Sequence, residues 1–121
     1  MIISLIFKFF INSWMENAYF RKTMNDLGRI TGLEFGGMLV LENSQQLKKE
    51  LVEAADSLDD QVKITIANIE EIDLSVIQLI IAFINRMDEI NVKYEFVWDL
   101  DAEQKLFLEN IGFSNEFLMI N

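Results

Sequence analysis

Between Val62 and Trp98 the apolar period changes twice, and that alternation constrains the fold more than any other feature of the chain. Val62-Lys63-Ile64-Thr65-Ile66-Ala67 alternates at period two and is β-branched at most positions, the pattern of a strand. From Leu74 to Asp88 the period lengthens to that of a helix. Ile77, Ile80, Ile81 and Ile84 fall on one side, with Val76, Leu79 and Phe83 beside them, so a broad face is predicted to be buried. Val92-Lys93-Tyr94-Glu95-Phe96-Val97-Trp98 then returns to β-branched and aromatic residues, a second strand. Strand, helix and strand in this order imply a βαβ unit with a right-handed crossover and a sheet covered mainly by helices.

The flanking segments extend the alternation. Ile30–Phe35 and Met38–Glu42 are apolar-rich runs on either side of Gly36-Gly37, a pair suited to the positive φ angles of a two-residue turn, and they predict a β-hairpin. Asn43 or Ser44 offers an N-cap oxygen, Gln46 follows, and Leu47, Leu51, Ala54 and Leu58 recur at helical spacing, with Asp59-Asp60 closing the helix. Asn68-Ile69-Glu70-Glu71-Ile72 reads as a short loop. Asp101 and Gln104 form a capping-box pattern ahead of Leu106, Leu108 and Ile111, and Gly112 suits the end of that last helix. Phe117-Leu118-Met119-Ile120 predicts an edge strand or a docked tail. The expected fold class is α/β: a single small sandwich with an N-terminal β-hairpin, then alternating strands and helices, and a mixed sheet of about four to five strands.

Composition narrows the chemistry. The chain has 121 residues, 51% of them hydrophobic, enough for one compact core. It contains no cysteine and no histidine, which excludes disulfides, thiolate or imidazole metal sites and most nucleophilic triads. The formal net charge of -10 repels phosphate backbones, so nucleic acid is not an expected partner. Residues 1–41 carry four basic and three acidic side chains, and residues 42–121 carry six and seventeen. The acidic part is the expected folded domain, 28–121, with 1–27 an N-terminal extension. Met1 to Trp14 is nearly all apolar but short of the ~20 residues that span a bilayer, and Lys8 interrupts it. Two readings of this stretch stay open: it lies upstream of a true start at Met15 or Met24, or it forms an apolar helix that binds a membrane surface or a partner. No secretory signal pattern is evident, and a cytoplasmic location is expected.

The helix after Asp73 carries the candidate site. Ser75, Gln78, Ala82, Asn85 and Glu89 follow at i, i+3, i+4 spacing, and all but the last are uncharged and small or amide-bearing. On so acidic a chain that stripe suits contact with another protein better than bulk solvent. Asp73 is placed to cap the helix and face its dipole. Ser75 is a first-turn serine, where an added phosphate would gain from the helix N-terminus. Asp73 with Glu70 and Glu71 is a clustered-acid candidate for catalysis, and it lacks a nucleophile, a metal-ligand set or a phosphate cradle. No enzymatic activity, metal or cofactor is expected. The partner-binding candidates are Asp73, Ser75, Gln78, Ala82 and Asn85.

The strand, the Ile69-x-x-Ile72-Asp73 loop and the Asp73-Leu74-Ser75-Val76-Ile77-Gln78-Leu79-Ile80 helix start resemble the STAS domain. This is the fold of bacterial anti-sigma factor antagonists and of the small subunit of a phospholipid-trafficking ABC transporter. The resemblance covers about residues 28 to 113. It implies a bacterial signalling domain that docks a kinase-like or anti-sigma protein, or a chemotaxis-type protein. Its alternative is an accessory subunit docking a transporter ATPase. In the antagonists an Asp precedes a phosphorylated Ser or Thr, then Ser or Ala, then Gly. Asp73 matches the acidic position, Leu74 stands at the phosphoacceptor position without a hydroxyl, Ser75 matches the next, and Val76 replaces the Gly. Ser75 is therefore a phosphoacceptor candidate displaced by one residue, about 100° around the helix. Constitutive docking is the expectation the resemblance favours.

Overall fold

The computed structural model describes residues 9–12 and 17–111. The elements are β1 (Phe9–Asn12), β2 (Ala18–Met24), β3 (Ile30–Leu39), α1 (Leu41–Ala55), β4 (Leu58–Ile72), α2 (Leu74–Glu89), β5 (Lys93–Trp98) and α3 (Ala102–Asn110). Five strands form one sheet in the order β1-β2-β3-β4-β5; β2 pairs antiparallel with β1 and β3, while β4 pairs parallel with β3 and β5. The fold is therefore α/β with a mixed sheet, as the changes of apolar period imply. Among the described residues, no helix is long and apolar enough to cross a membrane. The expected segment Phe117–Ile120 lies outside the described residues.

The hairpin is real but sits elsewhere. Gly36-Gly37 does not turn the chain: β3 continues through both glycines, pairing with Tyr19 and Ala18 of β2. Close approach, not turning, explains the first glycine. A Cβ at Gly36 would lie 1.7 Å from the Ala67 carbonyl oxygen of β4 and 2.9 Å from the Tyr19 ring. The turn is instead Asn25–Arg29, between β2 and β3. The Asn25 side-chain oxygen accepts from the Leu27 and Arg29 amides, both at 3.0 Å, and Gly28 takes φ 74°. This is the turn chemistry of an Asx motif followed by a left-handed glycine.

The domain consequently begins before position 28. Phe20 of β2 is fully buried and stacks on Phe35 of β3 with ring centroids 5.9 Å apart. Lys22 reaches Glu50 of α1 at 3.7 Å, and Glu50 is itself buried. The part of 1–14 that is described, Phe9–Asn12, is the edge strand β1 and not helix; the rest lies outside the described residues. The expected boundary at 27/28 therefore cuts through the hairpin.

Core residues on the sheet are Leu33 and Phe35, Val62, Ile64 and Ile66, and Phe96, at alternate positions of β3, β4 and β5. Against them pack Leu47, Leu51 and Ala54 of α1, and Val76, Ile77, Ile80, Phe83, Ile84 and Met87 of α2. Ile81 and Leu79, expected on the buried face, are only half-buried. The opposite sheet face is polar. There the Tyr19 hydroxyl donates to Glu34 at 2.7 Å and accepts from Asn68 at 3.1 Å.

Two expected boundaries move. Asn68–Ile72 is not a loop, because β4 continues to Ile72. It does so through an irregularity in which Gly37 (φ 85°) and Asn68 (φ 53°) take left-handed backbone on facing strands and the register shifts. Helix α1 starts at Leu41 after Val40, which has no side-chain capping bond, so neither Asn43 nor Ser44 is its N-cap. The Asn43 amide group instead donates back to the Met38 carbonyl at 2.8 Å. Leu58, expected on α1, opens β4. The Asp101–Gln104 capping box forms at α3 as its spacing predicts, and Gly112 lies outside the described residues.

Candidate docking surface

The register shift delivers Asp73 to a shared position. Once β4 has absorbed the irregularity, Ile72 pairs with Leu39, and the Asp73 amide donates to the Leu39 carbonyl at 3.0 Å. Two parallel strands thus end side by side, and the helices that follow them start side by side. Asp73 caps both. One carboxylate oxygen accepts from the Val76 amide of α2 at 3.3 Å, and the other accepts from the Leu41 amide of α1 at 2.9 Å. Two helix N-termini converge here with their positive dipole ends, and a single carboxylate answers both.

The electrostatics of Asp73 follow from these bonds. Desolvation raises its carboxyl, but hydrogen bonds from the Ser75 hydroxyl and the Leu41 and Val76 amides outweigh it, leaving the group below the ordinary aspartate value. The Ser75 hydroxyl donates to Asp73 Oδ1, so the serine is held against the cap and is half-buried. Glu70 and Glu71, exposed at the end of β4, take no part in these bonds.

Gln78, Ala82 and Asn85 of α2 are exposed along one stripe, as their spacing predicts. The structure separates them from Asp73 and Ser75, which are part of the paired caps, and it adds a groove beside the stripe. Between α1 and α2 lies an apolar cavity of about 120 Å³ lined by Leu51, Val52, Ala55, Leu79, Ala82 and Phe83. Lys48 of α1 and Arg86 of α2 also line it, and both are exposed. Ala82 is the residue common to stripe and groove. Sequence reasoning missed α1's share of this surface. Val52 is 59% exposed, an aliphatic side chain on a helix face otherwise occupied by charge, and that mismatch was the signal available. Leu41 and Leu74, the first residues of the two helices, are also exposed, at 65% and 46%. Leu74 thus presents an apolar side chain beside the cap.

Comparison of the chain with protein-family models and with curated proteins finds no match.

Proposed function

We propose that the chain is a non-enzymatic STAS-type docking domain of bacterial cytoplasmic signalling, which binds a partner protein through α2 and the adjoining part of α1. One observation carries this reading: on a chain of net charge -10, the uncharged stripe Gln78, Ala82, Asn85 is exposed and runs into an apolar groove. The Asp73 cap supports it further. A carboxylate engaged by two helix N-termini and a serine hydroxyl is a structural anchor and is poorly placed to act as a general base. Ser75 remains the phosphoacceptor candidate, and its half-buried hydroxyl, bonded to Asp73, favours constitutive docking over a phosphorylation cycle. Partner capture from the native cell should be abolished by Gln78→Arg and by Ala82→Arg, with both variants keeping the wild-type thermal melt. Undiminished capture by both folded variants would reject the reading.

A further inference from the structure

We infer that the occupant of the α1/α2 groove is an acidic amphipathic helix of a partner protein, which seats an apolar side chain among Leu51, Val52, Leu79, Ala82 and Phe83 and sets carboxylates against Lys48 and Arg86. The inference rests on the docking reading above and specifies its partner. Its basis is charge. The whole chain has 20 acidic and 10 basic side chains, yet the two charged residues that line this groove, Lys48 and Arg86, are both basic. Lys49 lies outside it, in a separate depression on α1 that it lines with Lys48, Val52 and Glu53. Among the described residues, Lys48 and Lys49 have no carboxylate partner. Arg86 meets Glu89 at 3.3 Å, but both side chains are more than half exposed, so the pair is solvent-screened and gives way easily to an incoming carboxylate.

The remaining features select a helix. A cleft between two packed helices accepts the ridge of a third, with apolar residues at i, i+3 or i+4 and i+7 entering it. An apolar floor gives a nucleic-acid phosphate nothing to bind, and the net charge of -10 opposes its approach. Exposed positive groups beside an apolar floor reward carboxylates flanking the anchor residue, and such charges act on specificity and association rate.

Two synthetic helical peptides test this on the full chain: one with a leucine ridge flanked by glutamates, the other identical but flanked by lysines. Amide chemical shifts report the site. The glutamate peptide should move Val52, Leu79 and Ala82 and bind about tenfold more tightly than the lysine peptide at low salt, with the preference shrinking as salt rises. Lys48→Glu with Arg86→Glu should invert the preference, and Ala82→Arg should abolish binding of both, each variant being checked for a wild-type melt. Equal affinities, shifts mapping elsewhere, or the same amides moving with protein concentration alone, which would mark a second copy as the occupant, overturn the inference. The native partner separates this from the underlying reading. Capture lost in Ala82→Arg but indifferent to the double charge reversal keeps docking and rejects the acidic helix. Capture indifferent to both Ala82→Arg and Gln78→Arg rejects docking itself.

Discussion

Asp73 shows how one side chain can serve two elements, and its replacement separates local from non-local capping. An N-cap is worth about 1 kcal/mol to a helix. Asp73→Ala removes the acceptor for Leu41 of α1 as well as for Val76 of α2, so a loss of about 2–3 kcal/mol in urea denaturation is expected. Asp73→Asn keeps one acceptor oxygen and should lose less. The sign of the pH dependence follows from the lowered carboxyl. Its contribution is present above the unfolded aspartate value of about 3.9 and is lost as pH falls through the lower folded value. The stability gap between wild type and Asp73→Asn should therefore close on acidification. Tyr94 behaves oppositely. Desolvation, and then the hydrogen bond its hydroxyl donates to Asp88 at 2.8 Å, push the phenol up to about 12. The neutral form is favoured in the fold, so its contribution is present below about 10 and is lost as pH rises through the folded value. Tyr94→Phe should cost about 1 kcal/mol at neutral pH. That difference should vanish in denaturation series carried to strongly alkaline pH.

At the level of elements, legibility followed the range of the cause. The period of α2, the Asp73 cap and the Asp101–Gln104 box are set by residues within a turn of each other, and all were readable. The start of α1 was not, because its capping oxygen comes from a residue 32 positions away. The candidate surface divides the same way: the exposure of Gln78, Ala82 and Asn85 follows from helical spacing, whereas the groove wall requires knowing that α1 packs beside α2. Gly36-Gly37 failed for a related reason. A glycine pair satisfies a turn, but it equally satisfies a strand squeezed between two neighbours, and only the positions of β2 and β4 decide between them. Meanwhile Asn25-Asp26-Leu27-Gly28 carried the true turn chemistry. Gly36→Ala checks the squeezed-strand account. Its Cβ would meet a backbone oxygen at 1.7 Å and an aromatic ring at 2.9 Å, and backbone cannot rotate away as a flexible side chain can. A loss of about 3 kcal/mol in thermal or urea unfolding is expected.

For the molecule as a whole, the decisive question is what the sheet requires in order to close over its core. The central pair β3 and β4 lies under α1 and α2, but β3 needs a neighbour on its other side, and β2 provides it. That strand brings more than hydrogen bonds. Phe20 is fully buried against Phe35, and Lys22 sets an ammonium group 3.7 Å from the buried carboxylate of Glu50. Charge asymmetry along the chain obscured this, since the basic balance of residues 1–41 set the first strands apart from the acidic part they pack into. A chain reduced to residues 28–121 tests the point. Removing a buried phenylalanine side chain alone costs about 3–5 kcal/mol, and removing the cation from a buried pair leaves a carboxylate that is costly to keep charged. Exposing the β3 edge adds an unpaired row of amides and carbonyls. Set against a typical domain stability of about 5–15 kcal/mol, these losses leave no margin. The 28–121 fragment should show no cooperative thermal transition by circular dichroism and poor amide dispersion by NMR. A cooperative melt near that of the full chain would mean that α1, α2 and the parallel strands form a sufficient core without β2.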